Sequence, residues 1–357
     1  FVCTKLSFIF QPVFTFVSTL FFPFLVSTFL YFLLNPVVNT IQRAKIPRTV
    51  AILILYVLFA GIVALIIGWL GPIVVRQIDQ FIKNIPDYMD IVKDIADRTS
   101  QTEWFKWVMA QDYLQKISDS MNSEQDFLEK INDTLGSTAS SLTQNITSGL
   151  QTVFSVVTSI TITIITVPFI LFYMFKDGQK FPEAAARFVP SHYRNEGINI
   201  LKETATTLGT YIQGQTIVCL FVGTFTFIGY LIIGQPYALL LGIIAAVTNI
   251  IPYIGPFIGA APAVIVALLI SPAKALFVII VVVIVQQLDG NIISPLIIGK
   301  KLDLHPLTII VLLLVAGNLA GILGMILAVP VYAVAKTVIV NLYRLWKLKA
   351  DSKKPPL

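Results

Sequence analysis

Apolar residues run almost unbroken through 13–34, 50–75, 150–175, 208–233 and 275–293. Each stretch is long enough to cross a hydrocarbon core of about 30 Å as an α-helix rising 1.5 Å per residue. Two further apolar stretches, 237–270 and 307–335, have a different pattern. Both are interrupted near mid-length by residues that resist helix, the first by Asn249, Pro252, Gly255 and Pro256, the second by Gly317, Asn318, Gly321 and Gly324. Drawn straight, the first would be a rod of roughly 50 Å, too long for one crossing. Irregular backbone survives at membrane depth only where protein or a watery cavity satisfies its freed N–H and C=O groups. Interruptions in two corresponding segments therefore predict a binding site between them and a secondary transporter around it.

The polar stretches divide by charge. Arg43, Lys45 and Arg48 share a short loop without an acid; Lys176, Lys180, Arg187, Arg194 and Lys202 fill a second; Arg344, Lys347, Lys349, Lys353 and Lys354 end the chain. The positive-inside rule sends all three to the cytoplasm. Residues 76–149 carry twelve acids against seven bases and belong outside. Within that insert Ile85, Tyr88, Met89, Val92, Ile95 and Ala96 recur at helical spacing, as do Trp104, Phe105, Trp107 and Val108, then Phe127, Leu128, Ile131 and Leu135. These predict amphipathic helices packed on each other, on another subunit or at the membrane interface. Charge also bears on the broken segments. Re-entrant hairpins leave Lys300 and Lys301 inside and only Lys274 outside, whereas kinked crossings do the reverse, so the bias favours hairpins entering from opposite faces.

Composition agrees with a membrane chain: of 357 residues 56% are hydrophobic and only 12% charged, where soluble domains carry about a quarter. The net charge of +6 is concentrated in the three basic loops, which removes the nucleic-acid reading it would invite in a soluble protein. Cys3 and Cys219 have no CxxC spacing, and His192 and His305 are isolated, so neither disulfide framework, metal site nor other cofactor is expected. No GxxxxGK[ST], HExxH or GxSxG is present, which argues against nucleotide-driven transport and against an enzyme.

The expected fold is an all-α polytopic membrane protein: a transmembrane helix bundle with two broken or re-entrant helical hairpins and an extracytoplasmic amphipathic-helix insert. It divides into N-terminal transmembrane helices (1–75), the insert (76–149), a transmembrane helix with a cytoplasmic amphipathic linker (150–207), a transport core (208–343) and a basic cytoplasmic tail (344–357). Asp289 is the only acid between Glu203 and Asp303. A carboxylate at membrane depth is costly and marks a proton or cation site by default; an interface Asp capping a helix or pairing with Lys300 or Lys301 is the plainer alternative. Gln286, Gln287 and Asn291 add amides suited to a solute or to bonds between helices. Asn249, Pro252 and Gly255 free backbone groups in the first break, and Gly317, Asn318 and Gly321 do so in the second, for a neutral oxygen-rich solute or a small cation. Gly255xxxGly259 and Gly317xxxGly321 also have the spacing of close helix packing. A passive channel and a non-transporting scaffold or sensor are the competing classes. They are separated from a transporter by saturable, gradient-coupled flux and by whether the insert or the breaks matter.

Tyr31-Phe-Leu-Leu-Asn-Pro36 with Pro47-Arg48, Phe172-Tyr173-Met-Phe-Lys176-Asp177-Gly178, Asn249-Ile-Ile-Pro252-Tyr253-Ile-Gly255-Pro256, the run from Gln286 through Asp289 and Pro295 to Gly299, and His305-Pro306-Leu resemble the autoinducer-2 exporter family, the PerM-like permeases. The resemblance covers essentially the whole chain and is most specific over 237–330. It implies a multi-pass transporter of the bacterial inner membrane in contact with the lipid bilayer, a homo-oligomer, an acidic residue at position 289, and the insert after the third family span. Against eight usual spans, the first survives here only as Phe1 to Cys3. The family includes members linked to export of the autoinducer-2 signal and others to exchange of Na⁺ or Li⁺ for protons, so a proton or Na⁺ is the implied coupling ion.

Overall fold

The computed structural model describes residues 7–100, 161–297 and 305–351. Among them the chain is helical throughout and without strands: α1 (Ser7–Gln42), α2 (Arg48–Ser100), α3 (Thr161–Asp177), α4 (Arg194–Ile232), α5 (Ala238–Thr248), α6 (Ile254–Ile270), α7 (Pro272–Leu288) and α8 (Pro306–Asp351). Five helical stretches are long and apolar enough to cross a membrane. Expectations about 101–149, including its tryptophans, and about Cys3, Lys300 and Lys301 lie outside the described residues.

The outward faces suit a lipid solvent. Val57, Leu65 and Trp69 on α2 are about three-quarters exposed, a pattern water would not tolerate over a whole helix face. With apolar surface favourable on both sides of a helix, association rests on close packing and buried hydrogen bonds. Small residues supply the packing. A Cβ on Gly242 of α5 would stand 2.7 Å from Phe227 Cβ of α4, and one on Gly229 of α4 would stand 2.4 Å from a Val281 methyl of α7.

The N-terminal helices form one cluster, where Val38, Ile52, Leu55, Leu171 and Phe175 bury against each other. Its end is tied by Arg48, whose Nε donates to the Phe175 carbonyl and whose Nη1 donates to Gln42 Oε1 at 3.2 Å. Helix α2 does not stop at the apolar boundary after Val75. It continues as one helix through Pro72 and Pro86 to Ser100, 53 residues or roughly 80 Å, so the start of the acidic insert is a helical continuation of the span. The rise in charge at Arg76 marks a change of solvent along an unbroken helix.

Both interrupted segments reverse direction. In the first, α5 and α6 lie side by side: a Cβ on Gly255 would fall 2.0 Å from the Thr248 carbonyl oxygen, and one on Gly259 would fall 2.9 Å from Ala245 Cα. In the second, α8 is broken at Ala320 (φ −141°, ψ 19°) and Gly321 (φ 59°, ψ −143°). There a Cβ on Gly324 would fall 2.0 Å from the Ala316 carbonyl oxygen, a contact that residues eight apart cannot make along a straight helix. Both are helical hairpins. Ile250, Ile251 and Ile254 at the first reversal pack with Leu312, Leu313, Met325 and Ala328 of the second, so the hairpins meet inside the protein.

They open at opposite ends of α4. The first begins beside the α4 C-terminus, whose carbonyls Ile233 and Gly234 accept from Lys274 Nζ. The long arm of the second reaches the α4 N-terminal half, where Asn341 Nδ2 donates to Glu203 Oε2 at 2.9 Å. Glu183 of the linker pairs with Lys202 at that same end.

Candidate functional site

A cavity of about 920 Å³ lies where the hairpins meet. Mid-α4 contributes Tyr211, Gln215 and Val218; the first hairpin contributes Asn249, Pro252, Tyr253, Pro256, Phe257 and Ala260; α7 and the turn after it contribute Gln286, Gln287, Asp289 and Ser294; the second hairpin contributes Ile309 and Val329. No lysine, arginine or histidine is among these lining residues. One carboxylate, several amides and hydroxyls, and apolar walls make the cavity suited to a cation or a neutral hydroxylated solute and unsuited to an anion.

Local backbone positions each group. Thr248 turns its hydroxyl back onto the Ile244 carbonyl at 2.8 Å, Asn249 closes α5, and Pro252 cannot extend it. Ile254 N–H then donates to the Pro252 carbonyl at 2.7 Å across Tyr253, which has φ 63° and ψ −46°. This is a γ-turn of the rare positive-φ kind, at a bulky residue that disfavours it by about 1–3 kcal/mol. The tip is held by Gln215, nearly fully buried, whose Nε2 donates to the Asn249 carbonyl at 2.7 Å. On the facing wall α7 gives way to a wider π-helical turn at Asp289–Ile293, a form frequent at functional sites. The turn brings Ser294 Oγ within 2.7 Å of Asp289 Oδ1, to which it donates, leaving the other carboxylate oxygen free of any side-chain bond described here.

The structure gathers Asn249, Pro252, Gln286 and Asp289 into one cavity, with Gln287 beside them. The other sequence-derived candidates stand elsewhere. Gly255 is buried in the α5–α6 contact. Asn291 is exposed, and its Nδ2 donates to Gln287 Oε1 at 2.8 Å. Gly317 faces Met325, Asn318 is exposed, and Gly321 forms the second reversal without touching the cavity. In that hairpin the close approach falls to Gly324, not to Gly321 as the Gly317xxxGly321 spacing suggests. Asp289 accepts from Ser294, five residues on; its alternative pairing with Lys300 or Lys301 lies outside the described residues. Gln215, Tyr211 and Ser294 were not singled out from the sequence. A glutamine in an apolar run is the signal that points to Gln215, because a buried amide requires partners; Gln213, two residues earlier, carries the same signal and donates to the Phe32 carbonyl at 2.7 Å.

A profile described as the AI-2E family transporter matches residues 4–344. The chain is 56% identical over 355 residues to "Putative transport protein YueF" of Bacillus subtilis (strain 168), spanning 99% of this chain and 92% of that protein. It is 29% identical over 330 residues to "Putative permease PerM" of Escherichia coli (strain K12), spanning 91% and 88%. It is 24% identical over 322 residues to "AI-2 transport protein TqsA" of Escherichia coli (strain K12), spanning 90% and 86%. With a family match along almost its whole length and these relatives aligned end to end, the chain belongs to the AI-2E transporter family.

Proposed function

We propose that this protein is a secondary transporter that moves a small neutral hydroxylated solute or a small cation through the cavity between the hairpins, with a proton or Na⁺ bound at Asp289 as coupling ion. The observation that carries this reading is the convergence of the Asp289 carboxylate with the tip of the first hairpin and the arms of the second in one cavity, whose lining among the described residues includes no lysine, arginine or histidine. A mobile wall and a titratable or ion-binding group in one place are what alternating access requires. The name of TqsA makes autoinducer-2 one solute to test, and exchange of Na⁺ or Li⁺ for protons is the other branch. Both hairpins are re-entrant in this reading. The 43–48 loop, the 176–202 linker and the tail are cytoplasmic, and the protein sits in the bacterial inner membrane without enzymatic activity. A homo-oligomer belongs to the same proposal and is tested by the mass of the solubilised particle.

The test is flux into proteoliposomes for Na⁺, Li⁺, protons and autoinducer-2. Wild type should transport at least one of these saturably and in response to a pH or Na⁺ gradient. Asp289→Asn keeps size and hydrogen bonding but neither titrates nor neutralises a cation, so gradient-driven flux should vanish while solute binding persists. Wild-type gradient-driven flux from Asp289→Asn makes Asp289 structural and refutes the coupling role.

A further inference from the structure

The first hairpin begins in an exposed geometry for a helix. Tyr237, its N-cap, has φ 59° and ψ 28° and offers no side-chain bond to the first N–H groups of α5. One of those orphan donors, Leu240 N–H, is accepted at 2.9 Å by Gln77 Oε1 of α2. Three further residues of α2 close on the same start. Phe81 sets its ring edge against Tyr237 with centroids 5.4 Å apart. Asn84 Nδ2 donates to Tyr237 Oη at 2.9 Å, and the hydroxyls of Tyr88 and Tyr237 share a bond of 3.1 Å. Positions 77, 81, 84 and 88 recur every three or four residues and so form one face of α2. All four lie past Val75, on the part of α2 that continues beyond the apolar span.

We propose that this face is a latch. Gln77, Phe81, Asn84 and Tyr88 are positioning residues that fix the start of the first hairpin and so determine where its tip stands in the cavity. The hairpin is gripped at both ends by glutamine side chains from neighbouring helices, Gln77 on the Leu240 amide and Gln215 on the Asn249 carbonyl. Between the grips α5 is 11 residues, a strut of roughly 16 Å seated on α4 at the Gly223–Gly242 contact. A strut so seated passes movement at its start to its tip. In a transporter, the polar extension of α2 then bears directly on the cavity, giving the start of the insert a role beyond burying its own apolar stripe. The functional consequence rests on the cavity being the transport site; the latch itself does not.

The test needs no transported solute. In a Cys3→Ala, Cys219→Ala background carrying Tyr253→Cys, purified protein is treated with N-ethylmaleimide, and amide exchange is followed by mass spectrometry over 234–248. Gln77→Leu removes the acceptor and Gln77→Glu retains it. Gln77→Leu should accelerate exchange at 238–241 and raise the labelling rate at position 253 several-fold. Gln77→Glu should match the parent in both. Asn84→Leu removes an independent contact and should shift labelling in the same direction, which keeps the test decisive should Gln77→Leu fail to insert. Unchanged labelling in the variants that insert, or Gln77→Glu behaving like Gln77→Leu, overturns the latch. Failure of the latch leaves the flux of the parent protein untouched, so it is distinguishable from failure of the transport reading.

Discussion

At the scale of single residues, the described glycines fall into groups with opposite consequences. Gly321 has φ 59° and ψ −143°, a region that only glycine enters freely. Gly321→Ala should therefore destabilise by about 1–3 kcal/mol although a Cβ there meets nothing within 4 Å. At Gly255 the backbone is helical and the obstacle is the Thr248 carbonyl, so Gly255→Leu should separate α5 from α6 and abolish flux. Gly68 meets nothing within 4 Å in the middle of α2, and Gly68→Ala should be neutral or stabilising by up to about 1 kcal/mol. Thermal midpoints of the solubilised variants check the order; a Gly68→Ala midpoint below that of Gly321→Ala would contradict it. All three glycines sit in apolar runs and look alike in sequence. The roles depend on what faces them, which one chain without its fold does not display.

At the scale of elements, the apolar runs located the membrane-spanning parts of α1, α2, α4 and α7, because in lipid the length of an apolar run is fixed by the thickness it crosses. They did not locate the polar extensions of α2 and α4, and residues 150–160 of the third run lie outside the described residues. The breaks were legible for the same reason: Pro252 and Gly321 stand where uninterrupted apolar sequence would otherwise be too long. Which way each break folds was settled by contacts absent from any local pattern, such as Gly324 on Ala316. Half of the candidate residues at the breaks proved to build the hairpins while others line the cavity, since the same small or helix-breaking residue types serve both ends. Ion pairs hold little of this arrangement. Lys83–Asp79, Lys180–Asp177 and Lys202–Glu183 are all exposed. The hydrogen bond from Lys202 holds the Glu183 carboxyl below its ordinary value of 4.5. A depressed folded-state value means that any stabilisation is present above the unfolded value and is lost as pH falls through the folded one. Lys202→Met should accordingly lower the thermal midpoint slightly at neutral pH and not at all once Glu183 is protonated; a difference that grows on acidification would contradict this assignment.

At the scale of the whole molecule, the basic linker and Asn341 of α8 lie at the N-terminal half of α4, and the latch and the mouth of the first hairpin lie at its C-terminal end. Exposed positions therefore report topology directly. A cysteine at Asp87 should react with an impermeant thiol reagent in intact cells, and one at Gln179 only after permeabilisation; the reverse pattern would invert the orientation. The central claim is that solute passes through the cavity between the hairpins, and filling that cavity tests it most directly. Ala260 lines the cavity on α6, whereas its neighbour Ala261 is exposed on the outer face. Proteoliposome flux of Na⁺, Li⁺, protons and autoinducer-2 should be lost in Ala260→Trp and kept in Ala261→Trp, both variants being monodisperse and folded. Wild-type flux through folded Ala260→Trp would place the path elsewhere and contradict the account.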